Sequence, residues 1–280
     1  MTEIEIIRLI AKQARGRASS GLILGIGDDC AVIRPRAGED LLITTDFVIE
    51  GVHFRRSAPA AFIGRKALAR GLSDIAAMGG DARYCLVSLA LPERAAGRWI
   101  DGFYRGLGAA GVPVIGGDLT RASKIACDVV VIGATPKGKA VRRDGARPGD
   151  RLYVSGALGR PWDRAPEPRL KIGRFLRGRA TSAIDLSDGL AIDLHRLCLA
   201  SGVAASIEFP LPVWPDAGLD RALHGGEDYE LLFTLPPAIK APSRIDGVAL
   251  TRIGAIRRGR AGKMEFMGTS LEPRGWDPFA

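Results

Sequence analysis

Apolar residues recur at helical spacing in two segments of the N-terminal half, residues 62–80 and residues 93–111. In the first segment Leu68, Leu72 and Ile75 fall on one stripe, as the apolar positions of an amphipathic helix do. Runs of apolar and β-branched residues, several ending in turns rich in Asp and Gly, surround the two segments and predict strands. These runs are LILGIGDDCAVI, DLLITTDFVIEGVHF, ARYCLVSLALP, VPVIGGD and KIACDVVVIGAT.

The C-terminal half repeats this alternation of strands and helices. The strand TSAIDL leads into a predicted helix over residues 187–202, with Ser187 as the expected N-cap. A short helix is predicted in PRLKIGRFLRG, and strands in RLYVSG, ASIEF, YELLFTLP and VALTRIGAI. Residues 136–150 are rich in Gly, Pro and charge, which indicates a domain boundary. The pattern predicts a mixed α/β protein of two domains, residues 1–137 and 138–280.

The composition of the 280 residues, 46% hydrophobic and 25% charged, is typical of soluble globular proteins. Charges interrupt every apolar run before about 18 residues, so no transmembrane helix and no membrane partner are expected. The acidic start MTEIEIIRLI differs from the basic start of a signal peptide, and we expect a cytoplasmic protein. The widely spaced cysteines predict buried, reduced thiols rather than a zinc site or disulfides. They are Cys30, Cys85, Cys127 and Cys198.

The formal net charge of +9 leaves two classes of partner open, nucleic acids and anionic small molecules. The basic residues are spread along the chain, and no basic stripe with interleaved aromatic residues occurs. This distribution favours an anionic small substrate, and we expect no nucleic-acid partner.

Aspartates recur where apolar strands end in turns. Turn chemistry explains any one of them, because Asp bonds its own backbone. The repeated choice of the charged residue favours a shared role instead. Gathered carboxylates repel one another, and Mg²⁺, which binds oxygen ligands, would offset that repulsion and hold a polyphosphate. The residues are Asp28, Asp29, Asp46, Asp118, Asp185 and Asp188, with Asp74 in a helix among small apolar neighbours.

Four further residues have both a structural and a functional interpretation. His53 follows the strand that contains TTD, where a histidine is either a loop residue or a ligand contact. Glu227 and Asp228 open a predicted strand, where acidic residues are disfavoured, which favours function. Trp276 is a packing residue or a stacking platform. The sequence contains neither a P-loop nor the protein-kinase motifs. Any nucleotide is therefore bound by a different structural motif.

Seven motifs span nearly the whole chain in a fixed order. They are GIGDDCAVI, TTDFVIEGVHF, KALARGLSDIAAMGG, GGDLTR, AIDLSDGLAIDL, GGEDYELLFT and GWDPF. Together they resemble the thiamine-monophosphate kinase family, of the superfamily that includes aminoimidazole ribonucleotide synthetase. The resemblance implies a two-domain aminoimidazole ribonucleotide synthetase-like fold. It also implies phosphorylation of thiamine monophosphate to thiamine diphosphate, with ATP as co-substrate and several Mg²⁺ ions.

The resemblance further implies roles for each domain and for individual residues. Residues 1–137 would bind ATP and Mg²⁺ and pair with a second copy in a homodimer, and residues 138–280 would bind the substrate. The implied metal ligands are Asp29, Thr44, Thr45, Asp46, Asp74, Asp118, Asp185 and Asp188. The implied ATP contacts are Tyr104, Gly117, Asp118, Arg143 and Ser187. The implied substrate contacts are His53, Glu227 and Trp276.

No catalytic base is predicted, because the acceptor phosphate, with a second pKa near about 6, is already ionised at neutral pH. The chain departs from the family pattern in residues 156–170, which are shorter than in similar proteins and lack a predicted helix, and in residues 210–222, which are also trimmed. Two other hypotheses remain open. The chain is another ATP-dependent enzyme of the superfamily, or a non-catalytic nucleotide- or nucleic-acid-binding protein.

Overall fold

The structure, a computed structural model, describes residues 10, 12, 21–24, 26, 31–92, 97–208 and 210–277. Two compact units are distinguished by their internal contacts. The first comprises Met1–Ile75 and Asp81–Gly138, and the second comprises Ala76–Gly80 and Lys139–Ala280. Each unit contains its own sheet, as expected for a mixed α/β protein.

The first unit is built on a four-stranded sheet with the order β3-β6-β4-β5. Strands β4 and β5 are parallel, whereas β6 pairs antiparallel with both β3 and β4. A separate two-stranded sheet pairs β1 with β2. The strands are β1 (Leu22–Leu24), β2 (Val32–Ile33), β3 (Glu39–Ile49), β4 (Asp81–Leu91), β5 (Val114–Arg121) and β6 (Ala126–Pro136).

The two helices predicted in the N-terminal half are present, with shorter bounds than the periodicity suggested. Helix α1 (Ala60–Ala77) buries the predicted stripe of Leu68, Leu72 and Ile75. Helix α2 (Arg98–Gly108) lies within the predicted residues 93–111, of which 93–96 are outside the described residues. Its buried face is formed by Ile100, Phe103, Tyr104, Gly106 and Leu107.

The second unit is built on a larger sheet with the order β14-β13-β9-β12-β7-β10-β8, and β11 pairs with β12 at its side. All pairs are antiparallel except β13 with β9. The strands are β7 (Arg151–Ser155), β8 (Ser182–Asp185), β9 (Ala204–Ile207), β10 (Leu231–Leu235), β11 (Arg244–Ile245), β12 (Val248–Arg257), β13 (Met264–Phe266) and β14 (Thr269–Ser270).

Three helices accompany this sheet: α3 (Leu170–Leu176), α4 (Leu190–Ser201) and α5 (Leu219–His224). Helix α4 contributes Leu190, Leu194 and Leu197 to one buried cluster, and α3 contributes to a second. The described segment between β7 and α3 contains no helix, in agreement with the prediction for residues 156–170.

Two local predictions in this unit were wrong. Ser187 is not the N-cap of α4, because the helix begins at Leu190 and Gly189 occupies the cap position without a side-chain cap. Strand β10 begins at Leu231 rather than at Glu227, because Glu227 and Tyr229 have positive φ angles of 70° and 51°. A strand requires negative φ, so the acidic residues lie in the turn before the strand.

Three predicted buried thiols are confirmed, those of Cys85, Cys127 and Cys198, while Cys30 lies outside the described residues. Burial raises the pKa of the Cys198 thiol to about 12. Across the part of the chain that the structure describes, none of the helices has both the length and the apolar character needed to cross a bilayer.

Candidate active site

Strand β3 and helix α1 bring three predicted metal ligands of the first unit together. Thr44 and Asp46 stand two residues apart on β3 and therefore face the same side of the sheet. Arg70 and Asp74, one turn apart on α1, meet them. The Thr44 hydroxyl donates to the Asp74 carboxylate at 2.5 Å, and the Arg70 guanidinium reaches the Asp46 carboxylate at 2.7 and 2.8 Å. Both carboxylates are only partly buried.

Thr45 and Asp118 are on the opposite face of the same sheet. The exposed Thr45 hydroxyl donates to the Asp128 carboxylate. Asp128 is in register with Ser88 of β4, and Ser88 is in register with Asp118 of β5. Residues in register share a face, so Asp118 and Asp128 stand on one solvent-facing row. The alternation along β3 thus separates Thr45 from Thr44 and Asp46.

The predicted nucleotide contacts of this unit are Gly117 and Tyr104, beside Asp118. Gly117 has a φ of 152°, and a Cβ at this position would lie 2.0 Å from the carbonyl oxygen of Val87. The close approach of β5 to β4 therefore requires glycine next to Asp118. Tyr104 is buried on α2, its ring edge-on to Phe103, and burial raises the pKa of its phenol.

His53 lies in the loop after β3 as a neutral imidazole. Its Nδ1 accepts the N–H of Ile49 at 3.0 Å, which leaves the ring proton on Nε2. Burial, with the charges of Arg70 and Lys66, lowers the pKa of His53 to about 4. The buried Lys66 donates to the carbonyl oxygen of His53 at 2.7 Å and so holds this loop.

Three loops of the second unit are joined by backbone hydrogen bonds at the predicted substrate residues. The N–H of Glu227 donates to the carbonyl oxygen of Ser187 at 2.7 Å, and the N–H of Trp276 donates to that of Asp188 at 2.9 Å. Between them, a Cβ on Gly226 would lie 2.9 Å from the Ser187 carbonyl oxygen, so this packing favours glycine. The segment that contains Trp276, the turn with Glu227 and the loop after β8 thus form one assembly.

The two predicted metal ligands of this unit differ in exposure. Asp185 is buried at the end of β8, whereas the side chain of Asp188 is 25% exposed and accepts Arg196 Nη1 at 2.5 Å. Asp193 holds the loop after β8 in place, because its carboxylate accepts the N–H groups of Asp188 and Gly189 at 3.0 and 3.2 Å. Burial raises the pKa of Asp193 to about 6.

Arg143, the remaining predicted ATP contact, has an exposed side chain in the segment before β7. Its carbonyl oxygen accepts the hydroxyls of Ser182 and Ser201 at 2.9 and 2.8 Å. These two bonds fix the backbone and leave the guanidinium directed outward.

Sequence reasoning missed the residues that position the predicted ones. Arg196 follows a readable rule, because it lies three residues after Asp193, the spacing of neighbours on a helix, whereas the partner of Arg70, Asp46, is 24 residues away on another element. Arg160 and Arg169 have no such local signal, since their partners Glu227 and Glu230 are more than sixty residues away.

The carboxylate and hydroxyl oxygens of the predicted residues are ligands that suit Mg²⁺. They occur in pairs and do not form a larger cluster. Among the described residues, no group of three or more His, Cys, Asp or Glu side chains has metal-site spacing. Mg²⁺ commonly takes one or two carboxylates and completes its shell with phosphate and water oxygens. The pairing of Thr44 with Asp74 and the partly exposed Asp46 and Asp188 meet that requirement. Asp28 and Asp29 lie outside the described residues.

Known proteins match the chain over nearly its full length. The AIR synthase related protein, N-terminal domain, family matches residues 27–135. Thiamine-monophosphate kinase from Escherichia coli (strain K12) is 34% identical over 304 aligned residues, which cover 92% of this chain and 92% of the relative. The chain belongs to the thiamine-monophosphate kinase family. This result confirms the family, the fold class and the enzyme class that the seven motifs predict.

Solved structures of this family share the fold. The crystal structure of thiamine-monophosphate kinase from Stenotrophomonas maltophilia K279a has a TM-score of 0.83 at 34% identity and covers 97% of this chain and 98% of its own. A structure of AaThiL complexed with AMPPCP and TMP has a TM-score of 0.79 at 32% identity, covering 99% and 97%. The thiamine-monophosphate kinase fold therefore extends over both units of the chain.

Proposed function

We propose that the chain transfers the γ-phosphoryl group of ATP to thiamine monophosphate and forms thiamine diphosphate. The observation that carries the proposal is the hydrogen-bonded assembly of the second unit, in which Ser187, Glu227 and Trp276 meet. These residues match an ATP contact and two substrate contacts of the family. The relative complexed with AMPPCP and TMP supports the same pair of substrates, a nucleotide and a thiamine phosphate.

The transfer is direct and in line, without a protein base. The attacking phosphate oxygen is already ionised at neutral pH, since the second pKa of a phosphate monoester is about 6. The obstacle is charge, because two unit charges about 4 Å apart repel by about 4 kcal/mol at an effective dielectric of 20. Catalysis is therefore positioning together with charge stabilisation. The exposed guanidinium of Arg143 supplies a positive charge for the nucleotide phosphates.

Magnesium would be held by Thr44, Asp46 and Asp74 in the first unit and by Asp185 and Asp188 in the second. When bound, it neutralises the polyphosphate and screens the acceptor from the donor. Arg70 and Arg196 hold the Asp46 and Asp188 carboxylates. These arginines keep the acidic side chains in place without locking them into the backbone.

The thiamine body would be bound in residues 138–280 by charge and stacking. Glu227 offers an anion to the cationic ring, and Trp276, 45% exposed, offers an aromatic face. His53, which belongs to residues 1–137, is the third substrate contact that the family implies, and its neutral imidazole offers an N–H donor without adding charge. We propose residues 1–137 as the main ATP- and Mg²⁺-binding domain, and the family implies Arg143, Asp185, Ser187 and Asp188 of residues 138–280 as further contacts.

A second copy of the chain would cover the apolar face of β3, an edge strand of the first sheet. Leu41, Ile43 and Phe47 alternate on this face with exposed fractions of 42%, 69% and 54%. An isolated soluble domain rarely exposes such a row, which favours a homodimer. Ile43→Lys should convert a dimeric species to a monomer in light scattering after size-exclusion chromatography. A monomeric unmodified chain, or an unchanged mass for the variant, would refute this interface.

One assay tests the reaction. ADP release is measured with thiamine monophosphate, free thiamine or an amidine precursor as acceptor, with and without Mg²⁺. We expect Mg²⁺-dependent release with thiamine monophosphate alone, because the hydroxyl of free thiamine would need activation. Efficient use of free thiamine would contradict the acceptor assignment, and turnover of the amidine would favour the synthetase branch of the superfamily.

A further inference from the structure

The shortened segment of the second unit, residues 156–169, is tied to the turn that contains Glu227. Asp228, 3% exposed, accepts the N–H of Gly159 at 2.9 Å and that of Arg160 at 2.7 Å. Further along, Arg169 forms a two-pronged ion pair with the buried Glu230, at 2.5 and 2.7 Å. Both ends of the segment are thus fixed by acidic residues of the GGEDYE motif.

Arg160 extends from this segment to Glu227 itself. Its guanidinium donates to the carbonyl oxygen of Glu227, and its own carbonyl oxygen accepts Arg221 Nη2 at 2.7 Å. Arg160 is only 7% exposed, and its Nε is a buried donor without a hydrogen-bond partner among the described residues. Burying an arginine at this cost, when the neighbouring Asp228 already caps the loop, indicates a purpose beyond loop closure.

The backbone at Glu227 needs such support. Glu227 and Tyr229 both have φ angles in the left-handed region, 70° and 51°, which non-glycine residues rarely adopt. The N–H of Glu227 is held by Ser187 on one side, at 2.7 Å. Arg160 holds the carbonyl oxygen on the other side, so the two bonds together fix the direction in which the Glu227 side chain leaves the turn.

We infer that Arg160 is a positioning residue that orients Glu227 toward the cationic ring of thiamine monophosphate. The inference rests on the proposed function and adds a determinant of substrate selectivity to it. In this proposal Arg160 acts only through Glu227 and is assigned no contact of its own with the nucleotide or the reacting atoms. Its loss should therefore weaken binding of the thiamine body and leave phosphoryl transfer from ATP intact.

The test compares Arg160→Ala and Arg160→Lys with Arg244→Ala. Arg244 is a matched control, because it also donates to a backbone carbonyl, that of Gly247 at 3.0 Å, in an exposed turn of the same unit. For Arg160→Ala we expect KM for thiamine monophosphate, and Kd measured by calorimetry without ATP, to rise about tenfold, the size expected for a lost charged hydrogen bond. KM for ATP and kcat should remain within about twofold.

Two further measurements separate positioning from stability. Arg160→Lys should show a smaller rise in KM, and added guanidinium ion should partly restore thiamine monophosphate binding to Arg160→Ala. Equal changes in both KM values, a fall in kcat alone, or no change in Kd would overturn the inference. Absence of turnover and of binding in the unmodified chain overturns the proposed function first, and the inference with it.

Discussion

In the first unit the predicted carboxylates of Asp46 and Asp74 are held by side chains of strand β3 and helix α1, whereas in the second unit two other acids, Asp193 and Asp228, are held by backbone N–H groups. Asp46 faces Arg70, and Asp74 faces the Thr44 hydroxyl. Asp193 and Asp228, in contrast, each cap two backbone amides and are almost completely buried. A side-chain partner can rotate away when a cation or phosphate arrives, but an amide cannot. In one region the carboxylates can therefore exchange their partner for a ligand, and in the other they hold the backbone in place.

Asp188 is the exception that clarifies the comparison. It belongs to the second unit, yet its carboxylate pairs with the side chain of Arg196 and is partly exposed. The carboxylate of Asp193, five residues further on, accepts the backbone N–H of Asp188 and holds the loop in place. The mode of charge compensation therefore distinguishes acids that can bind ligands from acids that hold loops, and it does so within one unit.

The largest effect is expected where a structural acid loses its charge. Glu230→Gln breaks a buried ion pair and leaves Arg169 with only the exposed Glu167 as an anionic partner, which should cost about 3 kcal/mol in the free energy of unfolding. Urea denaturation measures this loss. Glu265→Gln is the control, since Glu265 pairs with Lys263 on the exposed surface and should not change stability measurably. Equal midpoints for the two variants would contradict the comparison.

The next effect is on activity. Asp46→Asn and Asp188→Asn should each lower kcat for thiamine monophosphate by about 10²–10³-fold, because a charge that acts on the transition state is lost. Both should keep the melting temperature of the unmodified chain within a few degrees. Asp101→Asn, on the surface of α2, is the control and should retain full activity. Full turnover by both site variants would contradict the interpretation that Asp46 and Asp188 exchange their arginine partners for a ligand.

A pH effect of intermediate size should come from Asp228. Burial, opposed by the amides of Gly159 and Arg160, raises the pKa of Asp228 to about 7, while the unfolded chain has a value of about 3.9. Between these values the native state binds more protons, so this group's contribution to stability is complete below about pH 4 and is lost as the pH rises to about 7. The slope is about 1.4 kcal/mol per pH unit at most.

Asp228→Asn should therefore unfold with a smaller loss of stability between about pH 4 and pH 7 than the unmodified chain. Asp193, whose pKa is also raised, titrates in both proteins and cancels in the difference. Parallel stability curves for the two proteins would show that Asp228 is ionised throughout this range. Its role would then resemble that of the acids in the first unit.

The smallest effect distinguishes the two faces of β3. Thr44→Val removes the hydroxyl that the partly buried Asp74 accepts and should cost about 1 kcal/mol. Thr45→Val should cost less, because Thr45 and its hydrogen bond to Asp128 are exposed within the unit, whereas the bond between Thr44 and Asp74 is partly buried. Thermal denaturation of the two variants measures the difference, and a larger loss for Thr45→Val would contradict the assignment of faces.

The amino-acid sequence by itself determined the mixed α/β class, the helices α1, α2, α3 and α4 and the family. These follow from local rules, since periodicity, turn residues and motif order are all written in consecutive residues. The same rules failed at Ser187 and at the start of β10. There, Gly189 takes the cap position and Glu227 adopts a left-handed backbone that hydrogen bonds to Ser187 and Arg160 support.

Only the tertiary structure decided which acids have exchangeable partners. Asp46 and Asp228 look alike in the sequence, each an aspartate of a predicted strand. Their partners, Arg70 on a helix and the amides of Gly159 and Arg160 on a distant loop, are selected by how strands pair and helices pack. Burial and hydrogen bonding depend on residues far apart in the chain. The sequence could therefore identify the aspartates, but not their burial or their hydrogen-bond partners.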